Sequence, residues 1–285
     1  MPAMLCPSCG KMISSDVSEC PFCGQRRPGM FGFANSLRKI GLQVEIPRLI
    51  VYLCGGLYIL ALAIDPQAIF QPRGMMSLLA PSSKASIIFG MTGAIPVLVE
   101  GRWWTVITAI YLHGGLLHIF FNMMWVRQLA PVVEDMFGPF RLFVIFTVAG
   151  IAGFVLSSLM AAFGMALQLF GFTLLGGAGY TLGASGSIFG LLAAAIAYGR
   201  RLGSPLFTRQ FMQWAGFLFI FGLIFPGIDN WAHAGGFLGG YGMALLFLRD
   251  GSGEGSGALV GAAACLLATV VAFGLQLVTM IGLLF

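Results

Sequence analysis

Three histidines occur in 285 residues, and all three fall inside or at the edge of long apolar runs. His113 and His118 share one run and His233 stands in another, while Asn122 follows His118 by four residues and so shares its helical face. An ionisable side chain in such surroundings is costly and is a functional candidate by default. A third run opens with Gly183-Ala184-Ser185-Gly186-Ser187. A serine hydroxyl is a weak nucleophile until a neighbouring base takes its proton, and a histidine is the usual base. His233 is followed by Gly235, Gly236, Gly239 and Gly240, and Ser185 by Gly186 and Gly190, so two small-residue faces can bring the helices carrying Ser185 and His233 close together. The chemistry expected is a Ser185–His233 dyad, with His118 and Asn122 donating hydrogen bonds to a developing oxyanion.

Each residue alone carries little. A serine in a glycine-rich helix usually packs and bonds its own backbone, and a single buried His or Asn usually makes an interhelical hydrogen bond. The conjunction of all the histidines with Ser185 is what points to catalysis. Other hydrolytic signatures are missing: Ser187 stands where Gly-x-Ser-x-Gly needs its second glycine, and there is no His-Glu-x-x-His. The predicted spans hold no pair of aspartates for an aspartyl protease and no acidic partners for a histidine-lined transporter.

A second chemistry stands at the N-terminus. Cys6-Pro7-Ser8-Cys9-Gly10 and Cys20-Pro21-Phe22-Cys23-Gly24 are near-copies with ten residues between Cys9 and Cys20. Paired Cys-x-x-Cys turns that can deliver four thiolates suit a structural zinc ion held by Cys6, Cys9, Cys20 and Cys23, whereas redox dithiols normally come singly beside a βαβ pattern. Residues 1–28 therefore read as a zinc ribbon, stable through its metal rather than its core, with a protein partner as a further use of it. Cys54 and Cys265 sit singly in apolar runs and read as packing residues.

The elements that must position these groups follow from composition. Hydrophobic residues make up 58% of the chain and charged ones 9%, with 41 Gly, 26 Phe and a mean hydropathy of +0.93; an ordinary soluble domain carries about 25% charged residues. An all-α polytopic membrane protein is expected, with spans near residues 48–64, 106–126, 140–162, 181–198, 211–226, 230–248 and 258–284, after a linker or interfacial helix over 29–47. The polar, Cys-rich N-terminus lacks the apolar core of a signal peptide. The net charge of +5 is spread in ones and twos, which reads as a topology signal rather than a nucleic-acid surface. With the N-terminus cytoplasmic and the C-terminus outside, twelve of the fifteen basic residues fall inside and only Arg73, Lys84 and Arg102 outside. The connection 65–105, rich in proline and carrying Arg102-Trp103-Trp104, reads as an interfacial loop, and 163–180 as a second loop on the same side.

At these motifs the chain resembles the rhomboid intramembrane serine proteases over about residues 48–248. The matching stretches are His113-x4-His118-x3-Asn122, Gly183-Ala184-Ser185-Gly186, and Ala232-His233-Ala234-Gly235-Gly236 with Gly239. The resemblance implies a six-helix core followed by a linker and seventh helix within 249–285, Ser185 as nucleophile and His233 as base and then acid. It also implies an oxyanion hole from His118, Asn122 and the Ser185 amide. Substrates would be single-span membrane proteins cut near the outer face of the cell membrane, with no catalytic cofactor. A non-catalytic rhomboid-like protein that binds membrane clients is the alternative, and loss of the serine or histidine would mark it; both are present. Two departures stand out. The family's Trp-Arg order appears here as Arg102-Trp103-Trp104, and the ring expected to stack on the histidine is Phe189 rather than Tyr. Glu134 with Gly138 resembles the family's tie of an inner loop.

Overall fold

The computed structural model describes residues 3–6, 11–14, 17, 19–22, 45–70, 78–168, 176–225, 227–249 and 256–282. The 29–47 linker, apart from its last three residues, lies outside them, as do Cys9 and Cys23. Near the N-terminus β1 (Ala3–Leu5) pairs antiparallel with β2 (Met12–Ser14), Leu5 opposite Met12. The other long elements among the described residues are helices: α1 (Ile46–Ile64), α2 (Leu116–Phe137), α3 (Pro139–Gln168), α4 (Ser185–Arg201), α5 (Pro205–Ile224), α6 (Asn230–Arg249) and α7 (Ser256–Gly282). Four of them, α1, α2, α3 and α7, are long and apolar enough to cross a membrane, with mean hydropathies of 1.8, 1.2, 2.3 and 2.4.

The second predicted span is corrected. The apolar run 106–126 is not one helix: short turns at Thr105–Thr108 and Ala109–Tyr111 end in an extended Leu112, and α2 begins only after Gly115. It then runs through Pro131 to Phe137, where Gly138, at φ +89°, returns its N–H to the Glu134 carbonyl. Pro131 withdraws the N–H that would bond the Arg127 carbonyl, yet the helix continues to Phe137. The loop expected from 163 also starts later, since α3 continues to Gln168.

Close backbone contact organises the centre. In α4, 13 of 17 residues are buried. Gly236 and Gly240 of α6 lie directly on Gly186 and Gly190 of α4, and the opposite pair, Gly235 and Gly239, lies on Ala149, Ala152 and Gly153 of α3. A Cβ at Gly236 would sit 2.8 Å from Gly186 Cα, closer than real side-chain contacts allow. Lipid tails are as apolar as leucine, so these helices associate through close van der Waals packing, which small residues permit. Outside this core, α5 and α7 turn Phe217, Leu223, Leu267 and Val278 outward, an apolar surface suited to lipid.

The connection between α1 and α2 packs against the core over residues 83–112. It contains helical turns at Pro66–Phe70, Ser83–Ile88 and Ile95–Val99. Thr92 pairs with Thr181 through both backbone bonds, 3.0 and 2.7 Å, while Ala94 and Ile95 donate to Ala178 and Gly179. The two connections expected on one side of the protein are thus joined as a short ladder just ahead of Ser185.

Candidate active site

Ser185 is the first residue of α4 and is presented by the turn before it. Gly183 has φ +131°, and a Cβ there would meet His118 Nε2 at 2.7 Å. Only glycine suits both the backbone and the space. Its N–H donates to the Ala109 carbonyl at 2.9 Å, tying the turn to the helical corner that precedes α2.

The close α4–α6 crossing brings Ser185 Oγ to 2.9 Å from His233 Nε2. His233 is 5% exposed, while Ser185 is half-buried. The Phe189 ring, one turn along α4, stacks on the imidazole with centroids 4.3 Å apart and an interplanar angle of 16°. Asn230, one turn before the histidine, puts Oδ1 3.0 Å from Nδ1. A carbonyl oxygen only accepts, so Nδ1 carries the proton and Nε2 keeps the lone pair that accepts the Ser185 hydroxyl. This pair can therefore move a proton from serine to histidine without first changing tautomer.

Neither Asn230 nor its neighbour Asp229 was read from the sequence as a site residue. Asp229 caps α6, its Oδ1 accepting the Ala232 N–H at 3.0 Å, while Ser157 of α3 donates its hydroxyl to Oδ2 at 2.6 Å. Ser157 Oγ also accepts the Ala178 N–H at 3.1 Å. The signal was present in Asp229-Asn230 immediately before the apolar run, a helix-start pattern, with Asn230 three residues ahead of His233.

His118 and Asn122 lie beside this pair, in the first turns of α2. His118 Nδ1 accepts the Gly114 N–H at 3.2 Å, which leaves Nε2 as the donor, directed at the Gly183 turn. The Asn122 amide donates to the His118 carbonyl at 2.8 Å. His113 is buried edge-on to His118, ring centroids 5.2 Å apart. Among the predicted zinc ligands Cys6 and Cys20 are described, both buried in one cluster with Ile13.

The class is now defined: a multi-pass helical membrane protein with a hydrogen-bonded Ser–His pair at one end of its bundle. Residues 100–250 match the Rhomboid domain model, and the chain belongs to the rhomboid family. It is 30% identical over 184 residues to RHOMBOID-like protein 1 of Arabidopsis thaliana, covering 63% of this chain and 43% of that one. It is 31% identical over 149 residues to Rhomboid protease GluP of Bacillus subtilis, covering 51% and 26%. Over 154 residues it is 30% identical to Rhomboid-type serine protease 2 of Emericella nidulans, covering 52% and 28%. The matches span less than half the length of these three relatives.

Proposed function

We propose that the protein is an intramembrane serine endopeptidase. The observation that carries the reading is the 2.9 Å contact of Ser185 Oγ with His233 Nε2, on an imidazole held by Asn230 and Phe189. Two relatives named as a rhomboid protease and a rhomboid-type serine protease support it. Ser185 Oγ attacks the scissile carbonyl carbon as its proton passes to His233 Nε2. The resulting oxyanion is stabilised by the His118 Nε2–H and by the Ser185 N–H at the positive end of α4. Asn122 adds a donor once its amide turns from the His118 carbonyl. Collapse breaks the peptide C–N bond as His233 protonates the leaving amine. Water, deprotonated by the same histidine, then attacks the acyl carbon; the acyl C–Oγ bond breaks, His233 returns the proton to Ser185 Oγ, and the product leaves as a carboxylic acid that ionises in water.

Substrates are transmembrane proteins whose helix unwinds beside Ser185. The protein spans the cell membrane seven times, N-terminus cytoplasmic, with Ser185 toward the outer face. Arg141, Arg200, Arg201, Arg209 and Arg249, at helix ends away from Ser185, support that orientation. Residues 1–28 hold one structural zinc ion through Cys6, Cys9, Cys20 and Cys23. The residues present fit the ion: the Cys6 N–H closes the hairpin on the Lys11 carbonyl at 2.8 Å, and Cys6, Cys20 and Ile13, with Val17 against them, form too small an apolar cluster to fold a module alone. Zinc would supply a cross-link there and no catalysis.

The test is cleavage of a model single-span substrate in liposomes by wild type, Ser185→Ala and His233→Ala. Loss of cleavage in both variants supports the dyad. A wild type that binds the substrate without cutting it would establish the client-binding alternative, and full activity in either variant would refute the assignment.

A further inference from the structure

Gln276 is the one amide side chain in α7, a helix that lies outside residues 100–250, the stretch matching the family; the hydroxyls of Thr269 and Thr279 bond carbonyls of their own helix. It is 2% exposed and makes three hydrogen bonds to one short region of the connection between α1 and α2. Its Oε1 accepts the Trp104 Nε1–H at 3.0 Å, and its Nε2 donates to the carbonyls of Ile87 at 2.8 Å and Ile88 at 3.1 Å. These carbonyls end the Ser83–Ile88 helix, where Ile87 also accepts the Gly90 N–H at 3.1 Å and backbone acceptors run out of regular intrahelical partners. One amide thus joins both ends of the segment 87–104 to α7.

That segment continues into the Ser185 turn. Thr108 Oγ1 donates to the Gly90 carbonyl at 2.7 Å, and the Thr92 and Thr105 hydroxyls lie 3.0 Å apart, which folds the segment on itself. From it Thr92, Ala94 and Ile95 form the ladder to Ala178, Gly179 and Thr181. Gly93 lies so close to Gly179 that a Cβ would be 2.7 Å from that residue's carbonyl carbon. Two residues beyond Thr181 is Gly183, and Ser185 follows. A continuous chain of backbone bonds therefore links the Gln276 amide to the turn that presents the serine.

We propose that Gln276 is a positioning residue: α7 acts through it as a clamp on the 87–104 segment, fixing the extended stretch 178–183 and with it the approach of Ser185 to substrate. Leucine at this position fills similar space but removes the partner of the Trp104 N–H and the amide donor to the Ile87 and Ile88 carbonyls, of which Ile87 keeps the Gly90 N–H at 3.1 Å. The loss is transmitted rather than local, because Gln276 touches none of the reacting groups.

The experiment compares full-length wild type, Gln276→Leu, Trp104→Phe and the lipid-facing control Leu277→Ala in liposomes. Hydrogen exchange, which does not depend on the protease reading, follows residues 92–95 and 178–183. The kinetic arm, which rests on that reading, measures the fluorophosphonate labelling rate constant of the folded fraction together with kcat and KM. Gln276→Leu should speed exchange in both segments and lower labelling and kcat about tenfold, a size usual for mutations that alter coupling between sites, with KM little changed. Trp104→Phe, which removes one of the three bonds, should fall between, and Leu277→Ala should match wild type. Unchanged exchange at 178–183 in Gln276→Leu would overturn the proposal. So would a lower melting temperature with a wild-type labelling rate in the folded fraction, since Gln276 would then be a packing residue only. Failure of the wild type itself to label would refute the protease reading and leave the exchange result to judge the clamp.

Discussion

Removing the Asn230 side chain tests how the histidine is held. In Asn230→Ala the buried Nδ1–H of His233 loses the acceptor now 3.0 Å away. The imidazole can move the proton to Nε2, where it blocks acceptance from Ser185, or keep a buried donor unsatisfied. As proton transfer proceeds the bond becomes charge-assisted, and such bonds are worth about 1.5–3 kcal/mol. That corresponds to a fall in kcat of roughly 10- to 100-fold. Substrate contacts are untouched, so KM should hold, the pattern of an interaction strengthened in the transition state. The packing makes a second route to the same effect: a Cβ on Gly222 of α5 would sit 3.0 Å from Asn230 Cγ, so Gly222→Ala should displace the amide and lower kcat in the same direction. Steady-state kinetics on a fluorogenic transmembrane substrate, normalised by active-site titration, measures both. Wild-type kcat in Asn230→Ala would refute the positioning argument.

Three further outcomes are expected. Phe189→Ala should reduce kcat about 2- to 10-fold, because an offset ring contact is worth about 0.5–1.5 kcal/mol, whereas Phe189→Tyr keeps the stack over His233 and should stay near wild type in the same assay. Gly236→Ala forces a methyl against the Gly186 backbone and should destabilise the protein by about 1–3 kcal/mol, read as a lowered melting temperature in detergent. Purified protein should carry about one zinc per chain by elemental analysis, lost in Cys20→Ser; absence of zinc from the wild type would refute the ribbon.

Much of the architecture was legible because a bilayer demands long apolar runs and leaves polar residues few. His118, Asn122, Ser185 and His233 stood out against that background, and the glycine faces of α4 and α6 were readable as spacing. The break before α2 was not, because residues 106–126 are apolar enough on average to read as one span despite His113, His118 and Asn122, and hydropathy does not register a change of backbone direction at Leu112–Gly115. Asn230 and Asp229 were legible as a helix start, but their bonds to His233 and Ser157 depend on side-chain geometry and on α3. Gln276 was hidden for the opposite reason: one polar residue barely alters the mean hydropathy of α7, and its partners lie more than 170 positions away. The Thr92–Thr181 ladder is equally nonlocal. Hydropathy and spacing report each segment's own environment, whereas these contacts belong to pairs of distant segments.

The central claim is that Ser185 is a nucleophile activated by His233. The most direct measurement is the site and rate of fluorophosphonate adduct formation on the full-length protein in liposomes, read by peptide mass spectrometry. The account predicts one adduct, on Ser185, absent in Ser185→Ala and slowed at least about 100-fold in His233→Ala, the lower end of what a positioned base contributes. An adduct on another residue, or undiminished labelling of Ser185 without His233, would contradict it.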